Sequence, residues 1–419
     1  MKKVLSLMLA TLLLVGTLFA FTSCGEKQTA KKGMSDSPLA APTLKADFKV
    51  PENFKIGFMF LHDDKSTYDA NFMNAAKEIK ELLGLSDSQV IFRYPVNEEE
   101  ECPQAAEYLA EQGCNIIFAD SFGHENGMME IAAKYPNIQF CHATGTQAHT
   151  NKNLSNFHNA FASIYEGRYL AGIAAGLKLN EMIKKGDITA EKAVLGYVGA
   201  FPYAVVVSGY TAFYLGAKSV CPTATMKVNY TNSWYNVDKE RQNALALIND
   251  GCVVLSQHAD SMGAPSACEE KGVPDITYNV STFDDCPETF VIGSRINWAP
   301  YFLYIIGQVV KGQAIDIDWC GGIDEGSIVL TGVNQDVAAE GTVAAIEEAI
   351  KKIKSGEIKV FATNTFTVKG QELTSYKADV DTDAAFTPDT EVIENGAFME
   401  STKRSAPYFD VRIDGITEQ

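Results

Sequence analysis

The sequence predicts a two-lobed α/β protein, each lobe a parallel-sheet layer with flanking helices. Three observations carry that reading. Short β-branched and aromatic runs alternate with helical segments, the signature of βαβ units around a parallel sheet. The alternation stops and restarts midway along the chain. Two later segments then lead back, one to each unit, so the chain crosses three times between two bodies and forms a hinge.

The first unit reads "KIGFMFL", "VIFRYPV", "NIIFADS" and "IQFCHATG" as strands, with helices at Thr67 to Leu83, Glu101 to Gln112 and Glu125 to Lys134. The second reads "AVLGYVGAF", "MKVNYTNSW", "CVVLSQHAD" and "DITYNVS", with helices near Tyr203 to Ser219, Asp238 to Asn249 and Ala264 to Lys271. The long helical run from Glu166 opens the second lobe. "FVIGSRINWAPYFLYIIGQVVKG" returns to the first lobe, and "GSIVLTGVN" with "EGTVAAIEEAIKKIKSG" goes back to the second. The expected boundaries are 54–160 plus 294–326 for the N-terminal lobe and 161–293 plus 327–370 for the C-terminal lobe. A C-terminal extension covers 371–419.

Before these lobes stands a different kind of segment. Lys2 and Lys3 precede an apolar run from Val4 to Phe21, followed by small polar residues and Cys24. Positive end, hydrophobic middle and small residues make a secretory signal over 1–23. A cysteine directly after the small residues offers a thiol for thioether linkage to lipid, and "FTSC" resembles the bacterial lipobox with Phe21 where that pattern prefers Leu. A plain signal peptide with an incidental cysteine is the bland alternative. Each buried CH2 of an acyl chain contributes roughly 0.8 kcal/mol, so several chains anchor durably to a bilayer. The Lys-, Ser-, Ala- and Pro-rich stretch over 24–53 reads as a flexible leash between that anchor and the lobes.

Composition narrows the partners. Lys plus Arg number 35 against 53 Asp plus Glu, a formal charge of −18. Such a surface repels nucleic acid. The nine cysteines show no zinc spacing, and several sit in strand-like runs where a free thiol packs as a small hydrophobe. No nucleophile elbow and no P-loop pattern appears. The sequence gives no sign of catalysis, cofactor or metal. The acidic tract "DVDTDAAFTPDTE" places Asp379, Asp381 and Asp383 at calcium-loop spacing, but Ala384 stands where the turn needs Gly and Glu391 falls one residue late. It reads as a solvated loop.

Parallel sheets take ligands outside the carboxyl ends of their strands. That rule selects "HDDKSTYD", "ADSFGHEN", "HATG", "GAFPYA", "TNSWYNVDKE", "SQHADSMG" and "YNVST". Aromatic and hydrogen-bonding residues concentrate there: Tyr68, Phe122, His142, Phe201, Tyr203, Trp234 and His258. A flat ligand edged with heteroatoms suits such a lining. Each residue also has a plainer reading. Trp234 could cap a strand, Asp120 could cap a helix, and His258 with Asp260 fits a polar network better than a catalytic dyad. Pro300 suits a first helical turn, so Trp298 before it packs at the hinge as readily as it contacts ligand.

From about Lys55 to about Gly370 the chain resembles the BMP ("basic membrane protein") family, the substrate-binding lipoproteins of ABC transporters. The likeness is specific at "DDKST", "ADSFGHE", "HATG", "YEGRYLAG", "VGAFPYA", "SWYNVDKE" and "INWAPYF". It implies a type I periplasmic-binding-protein fold that closes over a purine nucleoside or base and docks on permease subunits. A sensory lipoprotein, or a binder of another flat heterocycle, is the alternative. The resemblance implies ligand contacts at Asp64, Ser66 and Thr67 in the first helix's opening loop, at Ser121 and Phe122, and at Trp234 against the base. Asn279 stands where nucleoside binders tend to have an Asp for ribose hydroxyls, and Asn297 where many have Lys. A carboxylate bonds hydroxyls more strongly than an amide does, so the resemblance implies base recognition more than ribose recognition.

Overall fold

The computed structural model describes residues 33–150, 154–381, 383, 385 and 387–419. The signal run, Cys24 and the start of the leash lie outside the described residues. Two sheets organise the rest. The first lobe runs β1 (Ile56–Met59), α1 (Thr67–Leu83), β2 (Val90–Arg93), α2 (Glu101–Glu111), β3 (Ile116–Ala119), α3 (Glu125–Lys134), β4 (Gln139–Ala143) and β5 (Phe157–Ala162). The second runs α4 (Ile164–Lys185), β6 (Val194–Gly199), α5 (Ala204–Val220), β7 (Thr225–Tyr230), α6 (Val237–Asn249), β8 (Val254–His258), α7 (Gly263–Lys271), β9 (Asp275–Tyr278) and β10 (Phe290–Ile296). The chain returns to the first lobe with α8 (Ala299–Lys311) and β11 (Asp318–Gly321), then to the second with β12 (Ile328–Leu330) and α9 (Thr342–Lys354).

The first sheet has the order β11-β5-β4-β3-β1-β2, and every neighbouring pair is parallel. The second has the order β12-β10-β9-β8-β6-β7 and is parallel except where β12 runs against β10. Helix α1 shows why the local sequence folds as it does. The Ser66 hydroxyl accepts from the Asp69 amide at its start, and Gly84 ends it with a left-handed φ of 64° that a side chain would resist.

Helices α4 and α5 meet backbone to backbone in the second lobe. A Cβ on Gly172 would collide with the Phe213 carbonyl, and one on Gly216 with the Tyr169 carbonyl. Beside this contact lies Arg168, fully buried. Its guanidinium donates to the Thr277 carbonyl at 3.2 Å and to Ser294 Oγ, Tyr197 OH and Ser256 Oγ at 3.1, 3.3 and 2.5 Å. The Tyr197, Phe213 and Tyr278 rings lie within 5.3–5.6 Å of it, close enough for cation–π attraction.

Three crossings join the lobes: at Ser163, between Ile296 and Ala299, and between Gly321 and Ile328. Asn297 ties the second to the third. Its amide N–H donates to the Ser327 carbonyl at 2.7 Å, and its Nδ2 to the Gly326 carbonyl at 3.0 Å. Trp298 follows, 1% exposed, stacked on Phe72 of α1 at 4.4 Å and flanked by Phe118, Phe161 and Phe302.

The expected leash differs from its described part. From Gly33 onward the segment is laid on the lobes rather than free. The Ser35 amide bonds the Val333 carbonyl at 2.9 Å, the Leu39 carbonyl accepts from Leu330 at 2.9 Å, and Lys311 pairs with Asp47 at 2.7 Å. Apolar Leu39, Leu44, Phe48 and Val50, spaced without helix or strand period, pack on the core and explain the order.

The C-terminal extension also folds back. Strands β13 (Lys377–Ala378) and β14 (Thr390–Glu391) pair, as do β15 (Ile393–Glu394) and β16 (Ala397–Phe398). Phe361 stacks on Phe409 at 4.3 Å, and β17 (Ile416–Glu418) adds a parallel strand beside β7. In the acidic loop, Asp381 and Asp383 approach Asp389, with one oxygen of each within 4.8 Å, while Asp379 stands outside that group. Eight cysteines among the described residues are free, seven of them buried. Among the described residues, no helix is long and apolar enough to cross a membrane.

Candidate ligand cavity

A cavity of about 490 Å³ lies between the lobes, within the size range of small-molecule sites. The loops after β1, β3 and β4 supply Leu61, His62, Ser121, Phe122 and Thr144 from one side, and the first turn of α1 supplies Tyr68. Loops of the second lobe and its strand ends supply Tyr203, Trp234, His258, Asp260 and Tyr278 from the other. All follow the carboxyl-end rule for parallel sheets.

The lobes touch across this space. The Thr67 amide donates to the Asp260 carbonyl at 2.8 Å, and the His62 and Tyr235 rings lie 5.4 Å apart. Phe122 and Tyr203, each about half exposed, face one another at 6.0 Å across the cleft. Behind Tyr203, Phe201 stacks at 5.0 Å and 12° and meets Trp234 edge-on at 5.1 Å. Flat aromatic faces therefore close one part of the cavity.

The polar part combines Asp69, Arg404 and Asp410 with the deeply buried Asp260 and His258. Burial drives the Asp260 carboxyl well above the ordinary carboxylate range, with Glu240 and Asp69 adding to the effect. That shift favours the proton-bearing form of Asp260, and a protonated carboxyl both donates and accepts. Burial likewise pushes Asp120 well up, helped by Asp69. His258 is driven down to about 3 by burial and then by the Arg168 charge, so its imidazole is neutral. Asp69 differs. Burial raises it, but bonds from His62 and Ser66 outweigh burial and hold it below the usual range. Its charge is already satisfied inside the protein.

Of the residues singled out in the sequence, Tyr68, Ser121, Phe122, Tyr203, Trp234, His258 and Asp260 line the cavity. Others stand behind it. Asp120 accepts from the Leu61 amide at 3.2 Å, and its carbonyl receives the Tyr68 hydroxyl at 2.9 Å. His142 Nε2 meets the Ser121 carbonyl at 2.7 Å and steadies that loop. Phe201 backs Tyr203. Ser66 caps α1, Thr67 bridges the lobes through its amide, and Asp64 is exposed on the loop before the helix.

Asn279, Asn297 and Trp298 do not reach the cavity. Asn279 turns the chain at φ 68° after β9 and is buried, while Asn297 and Trp298 are consumed by the hinge. The sequence reading missed His62, Asp69, Thr144, Thr146, Phe161 and Tyr278, several of which neighbour residues that it chose. It also missed Arg404, Ala406, Pro407 and Asp410 of the extension, which complete the wall. No period or motif marks those four.

The chain matches the Bmp family, described as ABC transporter substrate-binding protein PnrA-like, over residues 62–364. A purine-binding protein of Brucella abortus is 32% identical over 74% of this chain and 83% of its own. A Haloferax volcanii protein named as a glucose-binding component of an ABC transporter is 30% identical over 84% and 82%. Among solved structures, an ABC transporter solute-binding protein of Aeropyrum pernix K1 superposes with TM-score 0.62 at 18% identity, covering 74% of this chain and 93% of that one. One from Conexibacter woesei gives 0.57 at 17%, covering 73% and 98%. The solved structures show the two-lobed fold, and the family match spans most of the sequence: the chain belongs to the Bmp family of ABC transporter substrate-binding proteins, which are non-enzymatic and serve outside the cytoplasm.

Proposed function

We propose that the protein captures a purine, as base or nucleoside, between its lobes and delivers it to its ABC permease. The observation that carries this reading is one cavity holding both aromatic faces and the buried carboxyl of Asp260, whose burial favours the proton-bearing form. Faces stack a planar ring. A carboxyl that donates and accepts at once matches a heterocycle edge presenting a ring nitrogen beside an exocyclic group. A sugar is best held by ionised carboxylates, and Asp69 is already engaged by His62 and Ser66. The Brucella relative's name agrees with the purine reading; the Haloferax relative's name supplies the competing ligand.

Calorimetry with adenine, guanine, hypoxanthine, their nucleosides and glucose tests it. Purines bind, and Trp234→Ala weakens them by about 1–3 kcal/mol, by analogy with measured base–aromatic stacking. Binding of glucose without any purine would overturn the reading.

The same reading places the protein on the outer face of a membrane, held by acylated Cys24. Cys24→Ala releases it from the membrane fraction, measured by fractionation and by the mass of the mature N-terminus. A variant that stays bound and acylated contradicts the anchor.

A further inference from the structure

The cavity wall is completed by a segment that the family match does not reach. That match ends at residue 364, yet Arg404, Ala406, Pro407 and Asp410 all line the cavity. The segment is held in place from several sides. The Ser405 amide donates to Asp318 Oδ2 on β11 at 3.0 Å, the Tyr408 amide to Glu400 Oε1 at 3.2 Å, and the Phe361–Phe409 stack lies beneath. It is a fixed wall rather than a passing tail.

Arg404 is the one lysine or arginine among the cavity-lining residues described. Its Nε donates to the Ala406 carbonyl at 3.3 Å and its Nη1 to the Asp379 carbonyl at 2.9 Å. Those two carbonyls fix the plane of the guanidinium. They leave the Nη2 donors, and the second proton of Nη1, without an acceptor among the bonds within the described chain. A guanidinium has donors only, so what it meets in the ligand must accept.

Resting on the purine reading above, we propose that Arg404 selects oxopurines over aminopurines. The 6-oxo edge of guanine or hypoxanthine offers two neighbouring acceptors, O6 and N7, which suit an arginine fork. Adenine offers N7 beside an amino group, and that amino group sets donor against donor. The discrimination comes from the extension, outside the residues of the family match.

Calorimetry on the full chain with hypoxanthine and adenine decides the matter, using wild type, Arg404→Met and Arg404→Lys. Wild type binds hypoxanthine at least about tenfold more tightly, a gap of roughly 1.4 kcal/mol. Arg404→Met brings the ratio near one, with the loss falling on hypoxanthine. Arg404→Lys, which keeps a point charge but loses the fork, lies between. The wild-type ratio needs no variant to fold: adenine bound as tightly as hypoxanthine overturns the proposal while leaving the purine reading intact. A preference that survives in a folded Arg404→Met overturns it as well. Failure to bind any purine overturns the purine reading, and this proposal with it.

Discussion

Arg168→Met lowers folding stability by about 3–5 kcal/mol, because four buried neutral acceptors lose one shared donor. The midpoint of urea denaturation reads the loss. The guanidinium is wholly enclosed, and its partners come from four β-strands of the second lobe. Removing it leaves the Thr277 carbonyl without this donor, and three hydroxyls likewise, in a place that water does not reach. Each buried polar group left unsatisfied costs about 1–3 kcal/mol. Methionine matches the length of the side chain but cannot fill the flat space between the Tyr197, Phe213 and Tyr278 rings. Arg168→Lys recovers only part of the loss, since a point ammonium cannot serve the spread of acceptors that the planar fork reaches. A Met variant within 1 kcal/mol of wild type would show that the lobe can repack around the gap.

Trp298→Ala has an effect of similar size, about 3–5 kcal/mol for truncating a large buried aromatic. The indole lies against rings from α1, β3, β5 and α8, so its removal opens a void where the hinge meets the first lobe. Trp298→Phe costs far less than Ala. The buried Nε1–H has no hydrogen-bond partner, so phenylalanine removes an unsatisfied donor while keeping most of the aromatic volume. Denaturation of both variants checks the pair, and equal losses for Phe and Ala would contradict the placement of the indole nitrogen.

The architecture was legible where the hydrophobic pattern is strong. The helix expected over Thr67 to Leu83 spans those residues, and the helices expected near Asp238 and Ala264 begin one residue earlier, at Val237 and Gly263. Strand β5 escaped the reading because His158 and Asn159 interrupt its apolar run. Their partners, Gln139 with the Asp316 carbonyl and Glu125 with the Ala148 amide, stand 11 to 158 residues away, outside any local period. The carboxyl-end rule located the aromatic half of the cavity because stacking residues stand out in loops. It could not tell Asn297, used up by backbone carbonyls, from a ligand contact. The extension stayed illegible because four of its five strands are only two residues long. Its order comes from polar bonds and aromatic stacking, and neither leaves a period in the sequence.

The cysteines acquire a second meaning from their placement. Burial pushes the thiols of Cys102, Cys141, Cys252 and Cys286 up to about 12 and that of Cys114 to about 11. Thiolate is the reactive form in exchange and alkylation, so the fold suppresses sulfur chemistry by concealment instead of by pairing. Each of these sulfurs becomes available only when its own neighbourhood opens. Distributed over both lobes, they amount to a built-in set of clocks: the rate at which an alkylating reagent marks each one reports how often that part of the receptor breathes.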